Sequence, residues 1–440
     1  MINKNRAGDI IKKLLSFVPY EADVNIDGGE NSVTRFAGSE ISQNISTEDA
    51  VVTLTVYDGL KQASCSTNVT SGDGLKKISD DVSAMLASSS DGEFEYEPGC
   101  NGEVNENKKD CELNETFGIK NRAEIISRQI KKLSSEYFAS GALSLNKRFV
   151  SFGNKRGAFR YSEFDEVRYN TVITHINGES GGGGCIGYNA CPPDTDAAFD
   201  EAYTRAKMAR DPVSIEPGQY TVILSPAAAA DLLTYIVMPI CAKWLTDGDS
   251  YAAGQLGKQF FGRGITLCDD AANNLTRPLF FDYEGSPRKT LKLIEKGVIE
   301  NYLHDTKTAR RMKTGTTGHA VTHAGDGGYA MNIVMQPGST TIEDMIGSTE
   351  RGLYISELHY TNYVNPRALL VTGLTRNGTF LIKDGKLCEA VTNMRFTQNL
   401  KDAFNNVTAA ESKTTPADTY YSATIAPSLR IEGFCFTGKS

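Results

Sequence analysis

Few residues in this chain have the types and spacing that chemistry needs. His319 and His323 stand four apart in HAVTH, the spacing by which H-E-x-x-H sets two imidazoles on one helix face around zinc. The position after the first histidine is Ala320, so the carboxylate that would act as general base is missing. The surroundings, TGTTGHAVTHAGDGG, are packed with glycine, which disfavours that helix. The run therefore reads as a loop with two ordinary histidines. A metal site at His319 and His323, or a displaced catalytic site that adds Asp326, is the less favoured alternative. Gly182, Gly184 and Gly187 fit G-x-G-x-x-G, but Tyr188-Asn189-Ala190-Cys191-Pro192-Pro193 follows them. No helix N-terminus is offered directly to a pyrophosphate, so these glycines read as a hairpin loop. Asp269-Asp270, and Asp282 with Glu284, could work as paired carboxylates. Solvated turns or salt-bridged loop ends are the simpler reading. His175, His304 and His359 stand alone, and neither G-x-S-x-G nor a P-loop G-K-[ST] is present.

The bulk composition narrows the field further. A chain of 440 residues exceeds one ordinary core, so two or three domains are expected. The formal charge of −8 argues against a dominant nucleic-acid surface, which would draw on clustered Lys and Arg. Nine cysteines (Cys65, Cys100, Cys111, Cys185, Cys191, Cys241, Cys268, Cys388 and Cys435) form no C-x-x-C pair. That signals neither a disulfide framework nor a zinc ribbon, and reduced thiols are expected. The start, MINKNRAGDIIKK, has no apolar signal core, and no run approaches a membrane span. The expectation is a cytoplasmic protein with no membrane or direct nucleic-acid partner.

The element that organises the chain is Ser225–Trp244, SPAAAADLLTYIVMPICAKW. Ser225 can cap a helix, Pro226 suits its first position, and Pro239 must break it. A helix over 226–237 and a second short one from Pro239 are predicted. Upstream, apolar spacing predicts helices over 4–18, 72–87, 119–138 and 195–210. Between the first two lie β-like runs at 20–26, 32–37, 50–57 and 60–67, with Asp58-Gly59 as a hairpin turn. Between the second two lie runs at 141–153, 157–163 and 167–176. Both blocks carry a cysteine shortly before an asparagine ahead of the last helix: Cys65 and Asn68, Cys185 and Asn189. From Gln219 onward the chain reads mostly as β. The predicted fold class is α+β, with duplicated N-terminal helix–strands–helix units followed by a large, mainly antiparallel β domain. The boundaries are a first unit at 1–90, a polar, acidic linker or long surface loop at 91–118, a second unit at 119–212, and the C-terminal domain at 218–440.

From about residue 20 onward the chain resembles the TldD/TldE (PmbA) family, once described as modulators of DNA gyrase and now regarded as metallopeptidase-related. FFDYEGSPRKTLKLIEKGVIENYLHDTKTARRMKTGTTGHA (280–320), PGSTTIEDMI (337–346), GLYISEL (352–358) and IKDGKLCEAVTNMRFTQNL (382–400) carry the likeness, with TRFAGSEISQN (34–44) near the start and LRIEGFCFTGKS at the end. The family's active branch has H-E-x-x-x-H on a helix, two histidines holding zinc and the glutamate acting as base. By order along the chain that motif falls on 234–239, where Thr234, Tyr235 and Pro239 stand instead. The active branch also supplies a cysteine ligand near its end. The matching stretch here, 406–424, has none, and Cys435 comes later. The resemblance is to the TldE (PmbA) branch and implies a non-catalytic subunit of a TldD-type metallopeptidase acting on unfolded peptides. Zinc would sit in a TldD-like partner and not in this chain, and the partner would be that subunit or a second copy of this one. The alternative is a regulatory, protein-binding factor of the gyrase-modulator type.

Overall fold

The computed structural model describes residues 2–99, 103–104, 113–321, 327–419 and 423–439. His323 and Asp326 lie outside the described residues.

Helix α1 (Lys4–Phe17) starts where Asn3 accepts the Arg6 N–H through its side chain, and it buries Ala7, Ile10, Ile11 and Leu14. Strands β1 (Glu21–Ala37), β2 (Glu40–Asp58) and β3 (Lys61–Thr67) follow, then α2 (Gly72–Ser88), capped by Ser71. After the short α3 (Asn114–Phe117), the same order returns. It runs α4 (Ile119–Ile130), β4 (Tyr137–Asn154), β5 (Phe159–His175), β6 (Ser180–Tyr188) and α5 (Thr195–Met208), the last capped by Asp194. The six strands form one sheet, β3-β2-β1-β4-β5-β6, joined at its centre by antiparallel β1–β4 pairing. The two units thus share a sheet, and their helices straddle its centre: α1 packs on β1 and β4, and α4 on β1, β2 and β4.

The alternation of side chains assigns the two faces of this sheet. Val24, Ile26, Val52, Leu54 and Val56 meet α1 and α2, while Leu143, Leu145, Val167, Tyr169 and Ile173 meet α5 and Ile126 of α4. All of these lie on one face by the strand registers. The opposite face turns Val150, Phe152, Phe164 and Tyr188 against Leu279, Phe281, Met331, Ala423 and Ile425 of the C-terminal half. Burying each large apolar side chain contributes about 1.5–3 kcal/mol, so this junction is a second core and not a loose contact.

Several elements differ from the sequence expectation: β2 begins at Glu40 and not near 50, and the runs at 157–163 and 167–176 are the one strand β5. The runs at 20–26 and 32–37 are one strand, because Asp27–Asn31 break the apolar pattern yet pair on both sides, with β2 and β4. The helix expected to reach 138 stops at Ile130, since Tyr137 pairs with His175 and opens β4. The glycine run is no loop: Gly181, Gly182, Gly183 and Gly184 are the body of edge strand β6. Helix α5 lies so close to this strand that a Cβ on Gly181 would stand 2.3 Å from the Ala206 nitrogen. One on Gly183 would stand 2.2 Å from the Ala198 carbonyl oxygen. Strand glycine here permits close backbone approach.

In the C-terminal half, β7 (Gly218–Leu224) leads into α6 (Pro226–Val237), a 3-10 turn at Met238–Ile240, and α7 (Ala242–Thr246). Then come β8 (Leu267–Asp269), β9 (Leu291–Glu295), β10 (Val298–Ile299), α8 (Thr306–Arg311), β11 (Ile333–Met335) and α9 (Ile342–Gly347). The chain ends with β12 (Arg351–Asn365), β13 (Leu370–Lys383), β14 (Lys386–Ala390), β15 (Met394–Asn399), α10 (Leu400–Asn405), β16 (Val407–Asp418) and β17 (Ala423–Lys439). The eleven strands are mostly antiparallel, with β11–β17 and β12–β7 parallel. Strand β7 pairs with β12 on one side and β17 on the other, so β7, β12, β13, β15 and β17 close into a ring. Helix α6 packs on β12, β16 and β17. Among the described residues no helix is long and apolar enough to cross a membrane.

The β6–α5 approach generates a prediction. Gly183→Val should lower unfolding stability by about 2–3 kcal/mol through overpacking, read by urea denaturation. A change within experimental error would mean that α5 can retreat and that the close approach is not required.

Candidate functional site

Helix α6 shows why it forms. The Ser225 hydroxyl oxygen accepts the Ala228 N–H at 3.2 Å and the hydroxyl donates to the Ser356 carbonyl at 2.5 Å, tying the cap to β12. Ala228, Ala229, Ala230, Leu232, Leu233, Ile236 and Val237 are at most 1% exposed, so the helix is apolar nearly all round. At the positions where a zinc motif would fall, no side chain is available to a metal. Thr234 donates its hydroxyl back to the Ala230 carbonyl at 3.1 Å. The Tyr235 hydroxyl donates to the Thr361 carbonyl, and its own carbonyl accepts the Tyr363 hydroxyl at 2.6 Å. Pro239 has no ligand atom in its side chain, and its carbonyl accepts the Ser250 hydroxyl. Zinc asks for imidazole, thiolate or carboxylate, so these residues do not fit it. The ionisable group on the helix is Asp231. Burial pushes its carboxyl up to about 6, while the Thr361 hydroxyl, donating at 2.5 Å, pulls the other way.

His319 is not in a helix and is fully buried. Its Nε2 lies 3.2 Å from Asp269 Oδ1, and its Nδ1 lies 3.0 Å from the Thr317 hydroxyl oxygen. Arg288 Nη2 reaches the same Asp269 oxygen at 2.5 Å. The other carboxylate oxygen accepts the N–H groups of Met331 and Asn332 at 2.7 and 2.8 Å. Arg288 also donates to the Leu279 carbonyl and the Asn332 side chain. Burial alone would raise the Asp269 carboxyl, but Arg288 and His319 overcome it and hold the group well below the usual carboxylate range. The sequence of contacts Asp269–His319–Thr317 has the outline of a charge relay. However, His319 has no solvent exposure, and the Thr317 oxygen already accepts the His304 N–H at 2.8 Å. The network clamps the 317–320 loop to β8.

The carboxylate pair Asp282 and Glu284 is buried or partly buried, not solvated. Asp282 accepts the N–H groups of Glu284, Ser286 and Ala320 at 3.0, 2.8 and 2.9 Å. Glu284 accepts the Thr306 N–H and hydroxyl at 2.9 and 2.6 Å. Burial raises both carboxyls, and the charge of Asp282 raises Glu284 further. Asp270, the neighbour of Asp269, is tied to the Thr290 hydroxyl at 2.7 Å. The two pairs noted in the sequence thus serve loop architecture. His304 is also buried, which lowers its basicity.

The cavity that the sequence did not foretell lies where the six-stranded sheet meets the C-terminal half. About 330 Å³ in volume, it is lined by Asp27, Arg148, Glu166, Arg168, Arg277 and Tyr283, among others. Asp27 receives Arg148 and the Tyr283 hydroxyl, each at 2.6 Å. Glu166 receives Arg168 at 2.7 Å and faces Arg277 at 3.8 Å, while Arg168 also reaches Asp418 at 2.8 Å. Guanidinium and carboxylate groups facing one space can bind a dipolar chain or its charged ends. These residues come from β1, β4, β5, the 270–283 loop and β16, so no local motif could have marked them. Among the described residues no group of three or more His, Cys, Asp or Glu is placed to hold a metal ion.

The C-terminal half is thus a closed, mainly antiparallel ring carrying a buried apolar helix. The model of the PmbA/TldA metallopeptidase C-terminal domain matches residues 217–438, half of the chain, and the chain belongs to the TldD/TldE (PmbA) family. It is 24% identical over 168 residues to a metalloprotease of Methanothermobacter thermautotrophicus, covering 38% of this chain and 37% of that protein. It is 23% identical over 218 residues to metalloprotease PmbA of Escherichia coli O157:H7, covering 48% and 45%. The chain thus spans less than half the length of these curated relatives. In fold it is similar to TldE from Thermococcus kodakarensis, with a TM-score of 0.85 at 19% identity over 98% of this chain and 99% of that one.

Two predictions come from the buried charges. Arg288→Met leaves Asp269 as an uncompensated buried charge and should cost about 3–5 kcal/mol, read by urea unfolding; a loss under 1 kcal/mol would show that the clamp is dispensable. The second concerns Asp23, 4% exposed, whose carboxyl accepts the hydroxyls of Tyr96 at 2.5 Å and Tyr57 at 3.2 Å. Burial pushes it up to about 7; the two tyrosines and Arg156 lower it and Glu21 raises it. A raised acid holds extra proton in the folded state, so the associated stability is complete below its ordinary value and lost as pH rises through about 7. The melting temperature should therefore fall between about pH 4 and 7, and fall less in Asp23→Asn. Parallel pH profiles for the two proteins would contradict this.

Proposed function

We propose that this chain is a TldE/PmbA-like subunit of a cytoplasmic, TldD-type zinc metallopeptidase complex that acts on unfolded peptides, and that the subunit itself does no zinc chemistry. The observation that carries this reading is the state of 234–239. Thr234 is bonded back into its own helix, Tyr235 is tied to β12 through Thr361, and Pro239 offers no ligand. The partner is a TldD-like subunit that supplies the metal and the base, or, where none is present, a second copy of this chain.

The role left to this chain is to bind and enclose extended substrate. Among the described residues β3 pairs with Val52–Asp58 of β2 and no strand pairs with the outer edge of Glu40–Val51, which offers backbone groups for an added strand. Main-chain pairing of that kind is tolerant of sequence. The Arg148, Arg168 and Arg277 side chains, set among Asp27 and Glu166, suit the charged ends of a peptide.

The test is zinc per chain by elemental analysis of protein purified without chelator, followed by a peptidase assay alone and after co-expression with a TldD-like chain. Near-zero zinc alone, with chelator-sensitive cleavage only in the complex, is expected. One zinc per chain with chelator-sensitive cleavage by the isolated protein would overturn the proposal. So would affinity capture that recovers other partners and never a TldD-like subunit.

A further inference from the structure

The segment after α2 does not run through solvent. It crosses the β2–β3 turn, where the Gly92 N–H donates to the Leu60 carbonyl at 2.8 Å, and then follows the seam between the N-terminal sheet and α8. From there almost every residue of Glu93-Phe94-Glu95-Tyr96-Glu97-Pro98-Gly99 has its own receptor. Glu93 forks with Arg311 Nε at 3.2 and 3.0 Å. The Phe94 ring centre lies 5.1 Å from the Arg310 guanidinium carbon. Arg310 donates to the Glu95 carbonyl and stands 3.5 Å from the Glu97 carboxylate. Tyr96 stacks on Tyr57, with ring centres 3.8 Å apart and planes 16° apart, and its hydroxyl donates to Asp23. Arg156 lies 5.7 Å from the same ring. The Ser286 hydroxyl donates to the Gly99 carbonyl.

Aromatic residues alternate with acids along this stretch. Phe94 and Tyr96 turn inward, while Glu93, Glu95 and Glu97 remain exposed. The contacts are made mostly by side chains, so they read the sequence and not merely an extended backbone. Apart from the Tyr96 hydroxyl bond to buried Asp23, they are weak types: exposed ion pairs, one ring stack and guanidinium–ring contacts are individually small. A segment held by several weak, specific contacts binds as a ligand binds and can be displaced. Space of about 150 Å³ remains beside it, lined in part by Asp23, Lys61, Glu284 and Lys307.

We propose that residues 93–99 are an internal ligand, and that the groove formed by Tyr57, Asp23, Arg310 and Arg311 is a recognition site for extended peptides of alternating acidic and aromatic residues. In the resting chain the tethered segment fills the groove at a high effective concentration, on the order of millimolar. A free peptide therefore competes poorly until the segment lifts. This recognition is by side chains and is separate from main-chain pairing at the β2 edge.

The probe is the fluorescein-labelled peptide Glu-Phe-Glu-Tyr-Glu-Pro-Gly, followed by anisotropy with the full chain. Wild type should bind weakly. The full-length double variant Phe94→Ala, Tyr96→Ala, with its groove vacated, should bind about 10-fold or more tightly than wild type. Adding Arg310→Ala and Arg311→Ala to that variant should return binding to the wild-type level or below, and a peptide with Gln for Glu and Ala for the aromatics should not bind. Equal binding by wild type and the double variant, or binding indifferent to the arginines, overturns the proposal. A second measurement needs no variant. Excess peptide added to wild type should speed amide hydrogen exchange across 93–99, and unchanged exchange at millimolar peptide also overturns it.

Discussion

Closure of the β7–α6 connection is the constraint on which the C-terminal half depends. Strand β7 pairs with β12 and β17 at once and so completes the ring. The chain then turns at Ser225, whose hydroxyl is bonded to the neighbouring strand while it caps the helix. Helix α6 is thereby committed to the interior with almost no exposed apolar atom. That commitment limits what the helix can carry. A residue at 234 or 235 must satisfy its polar atoms locally, as the Thr234 hydroxyl and the Tyr235 phenol do, or be desolvated without a partner at a cost of about 1–3 kcal/mol. The packing that stabilises the ring also holds the Thr234 and Tyr235 hydroxyls in bonds to backbone carbonyls.

The same economy governs the junction between the halves. One face of the six-stranded sheet is covered by helices, and the other meets the C-terminal half through apolar patches that include Val150, Phe152, Phe164 and Tyr188. Between those patches the face turns charged, and Asp27, Arg148, Glu166 and Arg168 border a cavity instead of a core. Charged groups in such a place persist because they are paired, Asp27 with Arg148 and Glu166 with Arg168. The interior carries the same logic further in Asp269, which is wholly buried and holds its charge only because Arg288, His319 and two backbone N–H groups converge on it.

Several elements were legible from the chain alone. Alternation and turn residues located β3, the second half of β2 and the Asp58-Gly59 turn, apolar spacing located α1 and α2, and Ser225-Pro226 with Pro239 bounded α6 within a residue. The repeated order of helix, strands and helix was visible because each helix and strand carries its own apolar periodicity along the chain. The glycines of β6 were misread, since glycine is ambiguous until its neighbour is known: the same residues serve a mobile loop or a strand under a close helix. Asp269, Asp282 and Glu284 were noticed as acids, but their burial was not, because nothing local distinguishes a solvated turn from one closed by residues 20 to 60 positions away.

By itself the sequence determined the α+β class, the α6 boundaries and the absence of histidine or glutamate at 234–239, because capping, helix breaking and ligand identity are local properties of residue types. The tertiary structure alone decided the fusion of the two units into one sheet, the closing of the ring by β7 and the pairing of Asp269 with Arg288 and His319. It also decided the charged cavity and the docking of 93–99 against Arg310 and Arg311. Those depend on backbone pairing and desolvation between residues distant in the chain, where the free energy of a group is set by what faces it and not by what flanks it.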